Sequence, residues 1–285
     1  FKPMQSKWTT VIQPKNSLLQ VDFRELWQYR DLYRMLVKRD IVVWYKQTIL
    51  GPLWFFIQPI LTTIMFMIVF GGIAKIGTDG IPQPLFYLAG ICLWNYFAES
   101  LNQTSNTFIQ NSALFGKVYF PRLVVPFATV TSNLVRLGIQ LLLFVFVYLY
   151  FAFFTEATVA PNLYICLVPL LILLLSGLAL GFGVLFSSLT TKYRDLTFLL
   201  SFLVQLWMYA TPVIYPLSTI ENPTLKTLML LNPMTAILET FKYAVLGVGQ
   251  FRFEYLTYSA LFTLFIMAIG IVVFNKVQRT FMDTV

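Results

Sequence analysis

The chain has 285 residues, of which 58% are hydrophobic and only 11% charged. Soluble domains carry about 25% charged residues, so this composition excludes an ordinary water-soluble fold and calls for a membrane as solvent, most simply as one polytopic domain. The formal net charge of +8 does not mark a nucleic-acid protein, because nine of the 20 Lys and Arg precede Gly51 and most of the others fall in short loops, a distribution that orients a membrane protein.

Residues 1–22 are polar, with prolines at 3 and 14, and read as a cytoplasmic lead-in. The first long apolar run begins after about 50 residues, too late for a cleavable signal peptide. Over 23–47, Leu26, Tyr29, Tyr33, Leu36, Val37, Ile41 and Trp44 recur at helical spacing, with Arg24, Arg30, Arg34 and Lys38 between them. The stretch is too charged to span, so it predicts an amphipathic helix along the cytoplasmic interface, capped by Asp22. Two readings are open: a plain membrane-surface helix, or one whose polar face, with Arg34, Lys38 and Arg39, also docks a cytoplasmic partner.

A helix needs about 20 apolar residues to cross the hydrocarbon core. Six segments meet that: 53–74, 85–108, 124–153, 162–188, 196–215 and 256–275. An even number places both termini on one side. With the termini, 109–123 and 189–195 inside, that side holds fifteen Lys and Arg against four on the other (Lys75, Lys226, Lys242 and Arg252), which makes it cytoplasmic. The outer segment 217–254 is long yet apolar. Asn232-Pro233 divides Leu228–Leu231 from Met234–Leu246, which predicts two short helices. They either dip back into the outer leaflet, where protein or a wet cavity must cover them, or form a partly buried cap. The expected class is therefore an all-α polytopic membrane protein with six transmembrane helices. The layout is lead-in 1–22, interface helix 23–47 and transmembrane domain 48–285.

Several features bear on function. The chain has no histidine, which removes His-based acid–base catalysis, His metal ligands and His proton relays. Cys92 and Cys166 lie in apolar runs, so neither a disulfide nor a metal site is expected. Gly72-Ile-Ala-Lys-Ile-Gly77 lacks the Lys that a phosphate loop places after its second Gly, and it falls on the outer side. If ATP drives this protein, another chain binds the ATP and its Mg. The inner loop 109–123 has a greasy side of Leu114, Phe115, Val118, Tyr119 and Phe120, and Lys117 and Arg122 hold it at the interface. It is either a plain connection or a short helix that fits a partner's cleft.

Inside the membrane, Glu99 lies about nine residues, roughly 13 Å, from the inner end of its span, and Arg136 about 12 residues, roughly 18 Å, along the next. A Glu99–Arg136 pair would make both charges tolerable, as a structural salt bridge or with a substrate or gating role. Gly177-Leu-Ala-Leu-Gly181 and Gly183 allow close helix approach, within the subunit or at a dimer seam. Trp54, Phe55, Phe56 and Phe66 on the first span, and Trp207, Tyr209 and Tyr215 on the fifth, either face lipid and core or wall a path on which sugar rings can slide.

Four strings in order resemble a known family. They are Tyr45-x5-Gly51-x2-Trp54-x4-Pro59, Phe120-Pro121-Arg122, Tyr193-Arg194-Asp195, and Thr211-Pro212-Val213-Ile214-Tyr215-Pro216 followed by Asn232-Pro233. Together they resemble the membrane subunits of ABC-2 type exporters, particularly those moving lipid-linked polysaccharide or teichoic acid. The resemblance runs from Phe23 to the C-terminus. It implies a homodimer in the bacterial cytoplasmic (inner) membrane, with two copies of a separate ATPase docked on the interface helix and on a coupling helix in 109–123. It also implies a conduit walled by two copies of the first and fifth spans, an outer gate in 217–254, and a glycan carried on a polyprenyl diphosphate or related lipid. Alternatives are an ABC-2 exporter of drugs or small lipids, a membrane-embedded transferase, which the lack of His and of clustered carboxylates disfavours, and a passive channel.

Overall fold

A computed structural model describes residues 23–46, 49–155 and 161–284; the lead-in 1–22 lies outside them. The described chain is helical, and no strand occurs among these residues. A short turn of helix, α1 (Phe23–Gln28), leads into α2 (Arg30–Lys46), the amphipathic element. Only Leu36 on α2 is buried, and the helix lies against α7 (Val124–Phe154), where Tyr33 Oη donates to Thr131 Oγ1 at 2.7 Å. Gly51 follows at φ 50°, a left-handed turn that glycine adopts without penalty, and Pro52 then starts a 3-10 turn. This turn redirects the chain into α3 (Trp54–Phe66), whose last residues, Met67–Ile73, continue as π-helix.

The next helix, α4 (Gln83–Ser105), is the centre of the molecule: 16 of its 23 residues are buried. It packs against α3, α7 (Val124–Phe154), α8 (Val168–Lys192), α9 (Leu196–Tyr209) and α11 (Pro233–Leu246). Between α4 and α7 the inner loop forms two four-residue turns, α5 (Thr107–Gln110) and α6 (Ser112–Phe115). Beyond α9 come α10 (Pro223–Leu230), α11 and the final helix α12 (Phe253–Thr284). α8 and α12 form the most extensive helix pair, and glycine sets their spacing. A Cβ on Gly270 would lie 2.7 Å from Gly181 O, and one on Gly177 would meet the Thr263 methyl at 3.0 Å. Gly183 does the same toward α4, where a Cβ would sit 2.5 Å from Thr104 Cβ. The small-residue stripe is thus used for packing within this subunit.

Among the described residues four helices are long and apolar enough to cross a membrane: Gly51–Ile73, Val124–Phe154, Leu163–Lys192 and Phe253–Gln278. The sequence reading expected six, and the difference has two causes. α4 carries Asn95, Glu99, Asn102, Gln103, Thr104 and Ser105; a helix ringed by other helices can hold such groups, because protein rather than lipid surrounds it. α9 ends at Tyr209, well short of the expected residue 215. Its 14 residues span about 21 Å, less than a hydrocarbon core. Pro212 stops it, since the residue before a proline is pushed out of the helical region.

The two ends of the bundle differ. One gathers α2, α5, α6, the Tyr193–Asp195 turn and the distal part of α12, tied by Thr197 Oγ1 to Asn106 Oδ1 (3.1 Å) and Arg122 Nη1 to Gln278 O (2.9 Å). We refer to it as the basic end. The other, the cap end, gathers α10, α11 and the segment 210–216. The two short helices read from 217–254 are present, each begun by an Asn cap, Asn222 and Asn232, followed by Pro at the first helical position. They are unlike: α10 has no buried residue, whereas 13 of the 14 residues of α11 are buried. Gly247 at φ 77° closes α11.

Candidate substrate path and docking surface

Glu99 and Arg136 meet at 3.3 Å across the α4–α7 contact. They belong to a longer polar seam. Gln103 Nε2 donates to Glu99 Oε1 (2.7 Å), Asn133 Nδ2 donates to Gln103 Oε1 (3.0 Å), and Arg136 Nη2 reaches Gln58 Oε1 on α3 (3.0 Å). Three apolar helices are thus laced by one chain of side-chain bonds, in which each charge has both an ionic and a neutral partner. The guanidinium also stands 5.0 Å over the ring of Phe55. The seam is open on one side: the Glu99 side chain is 39% exposed and that of Arg136 15%. A carboxylate in hydrocarbon is costly, so this side of the bundle faces either water or another protein surface, not lipid tails.

The seven aromatic residues singled out on α3 and α9 divide. Phe55 is buried, edge-on to Trp44 at 5.2 Å. Phe66 packs on Phe70 and Tyr87 (5.4 and 6.1 Å). Trp207 is wedged between Phe97 and Phe182, edge-on to both at 5.2 and 5.3 Å. These three are engaged in packing. Trp54 and Tyr209 are exposed, Phe56 is half-buried, and Tyr215 donates its hydroxyl to Tyr209 O at 2.8 Å. Tyr209 and Tyr215 line an open cavity of about 540 Å³ with Lys75, Ile76 and Gly77 from the chain after α3. The cap-end mouths of α3 and α9 therefore border one depression.

The segment that breaks α9 is held by residues the sequence reading did not assign. Asn232 caps α11 by accepting from Met234 N (3.1 Å), and its amide donates to Thr211 Oγ1 (2.9 Å) and Ala210 O (3.2 Å). Lys242 on α11 is buried. Its ammonium donates to Pro212 O at 2.6 Å and stands 3.8 Å over the Phe86 ring of α4. One turn earlier, Glu239 accepts from Gln250 N at 3.2 Å. Burial pushes the Glu239 carboxyl up and the Lys242 ammonium down, to about 8, while each one's charge offsets part of the other's shift. A Cβ on Gly90 would come within 2.7 Å of Val213 O, so the non-helical segment lies directly on the central helix. An available signal was Glu239 and Lys242 three residues apart in an otherwise apolar run, a pair that a helix buried in protein must satisfy.

At the basic end, the loop read as a docking element is half anchor and half surface. Phe115 and Phe120 are buried, in contact with each other at 5.6 Å, and the Arg122 guanidinium lies 5.4 Å over Phe115. Leu114 is half-buried. Lys117, Val118 and Tyr119 project outward. On α2, Arg34, Lys38 and Arg39 are exposed; Arg34 pairs with Asp31 (3.5 Å) and Arg39 with Asp40 (2.9 Å).

A membrane bundle with a polar central helix, a broken neighbour capped by two short helices, and a basic surface at the opposite end defines a transport-type membrane domain. Residues 31–246 match the model of the ABC-2 type transporter membrane family, and the chain belongs to that family. It is 31% identical over 221 residues to the O-antigen export system permease protein RfbA of Myxococcus xanthus, covering 77% of this chain and 82% of that one. It is 26% identical over 254 residues to the protein of the same name from Klebsiella pneumoniae (89% and 94% covered). Over a similar span it is 24% identical to the polysialic acid transport protein KpsM of Escherichia coli (87% and 94% covered).

Proposed function

We propose that this chain is the membrane-spanning subunit of an ATP-driven exporter that moves a lipid-linked polysaccharide, O-antigen-like in class, from the cytoplasmic to the outer face of a bacterial inner membrane. The observation that carries the proposal is the similarity, over 77% to 89% of this chain, to permeases named for O-antigen and polysialic acid transport, joined to a bundle whose polar seam is open on one side.

In this reading six segments cross. α4 is the second, tolerated because other helices cover it. α9 is the fifth, completed by the protein-covered segment 210–216. Both termini and the basic end are cytoplasmic by the charge count. Two copies of the chain enclose a path between their α3 and α9 faces, with the Glu99–Arg136 seam facing inward, Trp54 and Phe56 toward its entrance and Tyr209 and Tyr215 at its mouth. Exposed aromatic faces suit sugar rings without selecting a sequence of them. α10 and α11 form the gate. ATP and Mg belong to a separate ATPase, two copies of which dock on Lys117, Tyr119 and the exposed cations of α2, while Phe115 and Phe120 transmit the push into the bundle.

Depleting the chain in its native cell tests this. Lipid-linked glycan trapped on the cytoplasmic leaflet, with surface glycan lost, is the expected outcome and identifies the cargo. Normal surface glycan would remove the polysaccharide assignment and move drug or small-lipid export to first place.

A further inference from the structure

The cap end holds a second depression, which shares no lining residue with the first. Between α10 and the start of α12 lies an open cavity of about 540 Å³. Lys226 of α10 and Arg252 put two cations on its wall, and Tyr243, Phe251 and Tyr255 line it. The aromatic side is well fixed: Tyr243 stacks on Phe251 at 5.9 Å, and Tyr164 backs Phe251 at 4.6 Å. Among the described residues no acidic side chain lines the cavity, and neither cation is in an ion pair. Glu239, whose charge bears on Lys226, is buried and accepts the N–H of Gln250.

A furrow of about 500 Å³ runs along the outer side of the same helix, over Leu225, Leu228 and Leu231. These leucines are 49%, 64% and 56% exposed, an unusual amount of aliphatic surface for a helix of eight residues unless hydrocarbon meets it. The furrow and the cationic cavity share Pro223 and Thr227. A cationic pocket and an aliphatic track therefore adjoin on one turn of α10.

We infer that this is a binding site for an anionic membrane lipid, its phosphate between Lys226 and Arg252 and its acyl chains along Leu225, Leu228 and Leu231. Two cations outside any ion pair, Arg252 5.9 Å over the Tyr255 ring, beside apolar surface select a molecule that is anionic at one end and hydrocarbon at the other; a free anion would leave the leucines uncovered. The inference requires only that the chain spans a membrane, and it is independent of cargo and ATPase.

The test uses the purified, delipidated full chain in detergent, titrated with short-chain phosphatidylglycerol and with phosphatidylcholine of equal chain length. Phosphatidylglycerol should bind more tightly. A cation near a bilayer surface contributes roughly fivefold in affinity for anionic lipid. Lys226→Gln/Arg252→Gln should therefore weaken phosphatidylglycerol at least tenfold and leave phosphatidylcholine unchanged. Leu228→Ser should weaken both lipids. Lys276→Gln, an exposed cation at the basic end, should change neither. If the double variant does not fold, the two single variants are read separately, each expected to lose roughly fivefold. Undiminished phosphatidylglycerol binding in the charge variants, or an equal loss in Lys276→Gln, would overturn the site. Displacement of the lipid by equimolar inorganic phosphate would also overturn it, reducing the cavity to a simple phosphate site.

Discussion

Arg136 and Glu99 can be separated as structure and as machinery because their surroundings differ. Arg136 is the more enclosed of the two, and its guanidinium joins α7 to both α3 and α4. Removing it alone leaves a carboxylate with only Gln103 for company. Arg136→Gln should therefore lower the amount of folded chain in the membrane and lower export with it. Replacing both residues with Gln removes both charges at once. The double variant should recover its folded level while export stays more than tenfold down, read as membrane protein level against surface glycan. Recovery of export as well would make the pair purely structural.

Lys242 predicts the opposite pattern. Its bond to Pro212 O is a charged hydrogen bond in a buried site, and such bonds contribute about 1.5–3 kcal/mol. Lys242→Met should destabilise the chain by about 2 kcal/mol in detergent unfolding, on that basis. Lys226→Met, changing a cation that makes no such bond, should leave the melting point within error. Glu99 and Arg136 could be paired from the sequence because they lie on consecutive spans at similar depth. The partners of Lys242 and Asn232 lie 30 and 21 residues away on an irregular segment, and no periodicity reports such a contact.

At the scale of elements, glycine sets helix spacing only where a neighbour is near. Gly183→Val would force a methyl-bearing Cβ to within 2.5 Å of Thr104 Cβ, separating α8 from α4, so a clear loss of thermal stability is expected. Gly138 on α7 has nothing within 4 Å of its would-be Cβ. Gly138→Ala should be neutral or stabilising by up to about 1 kcal/mol, the helix-propensity difference. Comparing the two melting curves checks both statements. The same distinction explains how far the sequence reading reached into the helices. Uniformly apolar α3, α7, α8 and α12 announce themselves by length. α4 and α9 do not pass the same criterion in the structure, one because its polar residues are covered by neighbours and the other because a proline shortens it. The assignment of Phe55, Phe66 and Trp207 to a sugar path reads the same way: aromatic content was visible, but which rings are packed edge-on against Trp44, Tyr87 and Phe97 depends on neighbours.

For the whole molecule, the proposed path needs a second copy of the chain at the open side of the polar seam. A carboxylate 39% exposed within the bundle calls for water or a second protein surface, and the two-copy path supplies both. Light scattering of the purified chain should give twice its 32.9 kDa mass once detergent is subtracted. A monomer under conditions that retain native lipid would remove the two-copy path. The basic end and the cap end also predict different sensitivities. Tyr119→Ala, exposed on the inner loop, should reduce export without altering the melting point. Phe120→Ala, a buried anchor, should alter both.

The sequence by itself determined that the chain lives in a membrane, which end is basic, where the interface helix turns into the first span, and that two short helices flank Asn232-Pro233. All of these follow from local properties: apolar run length, charge placement, and the backbone limits of Gly51 and proline. Only the tertiary structure decided that α4 is the core, that α9 stops at Tyr209 and continues as a non-helical segment laid on Gly90, and that Lys242 and Asn232 hold that segment. These outcomes depend on which surfaces face one another, and burial by a distant helix is what makes a buried lysine or a polar span affordable in an apolar solvent.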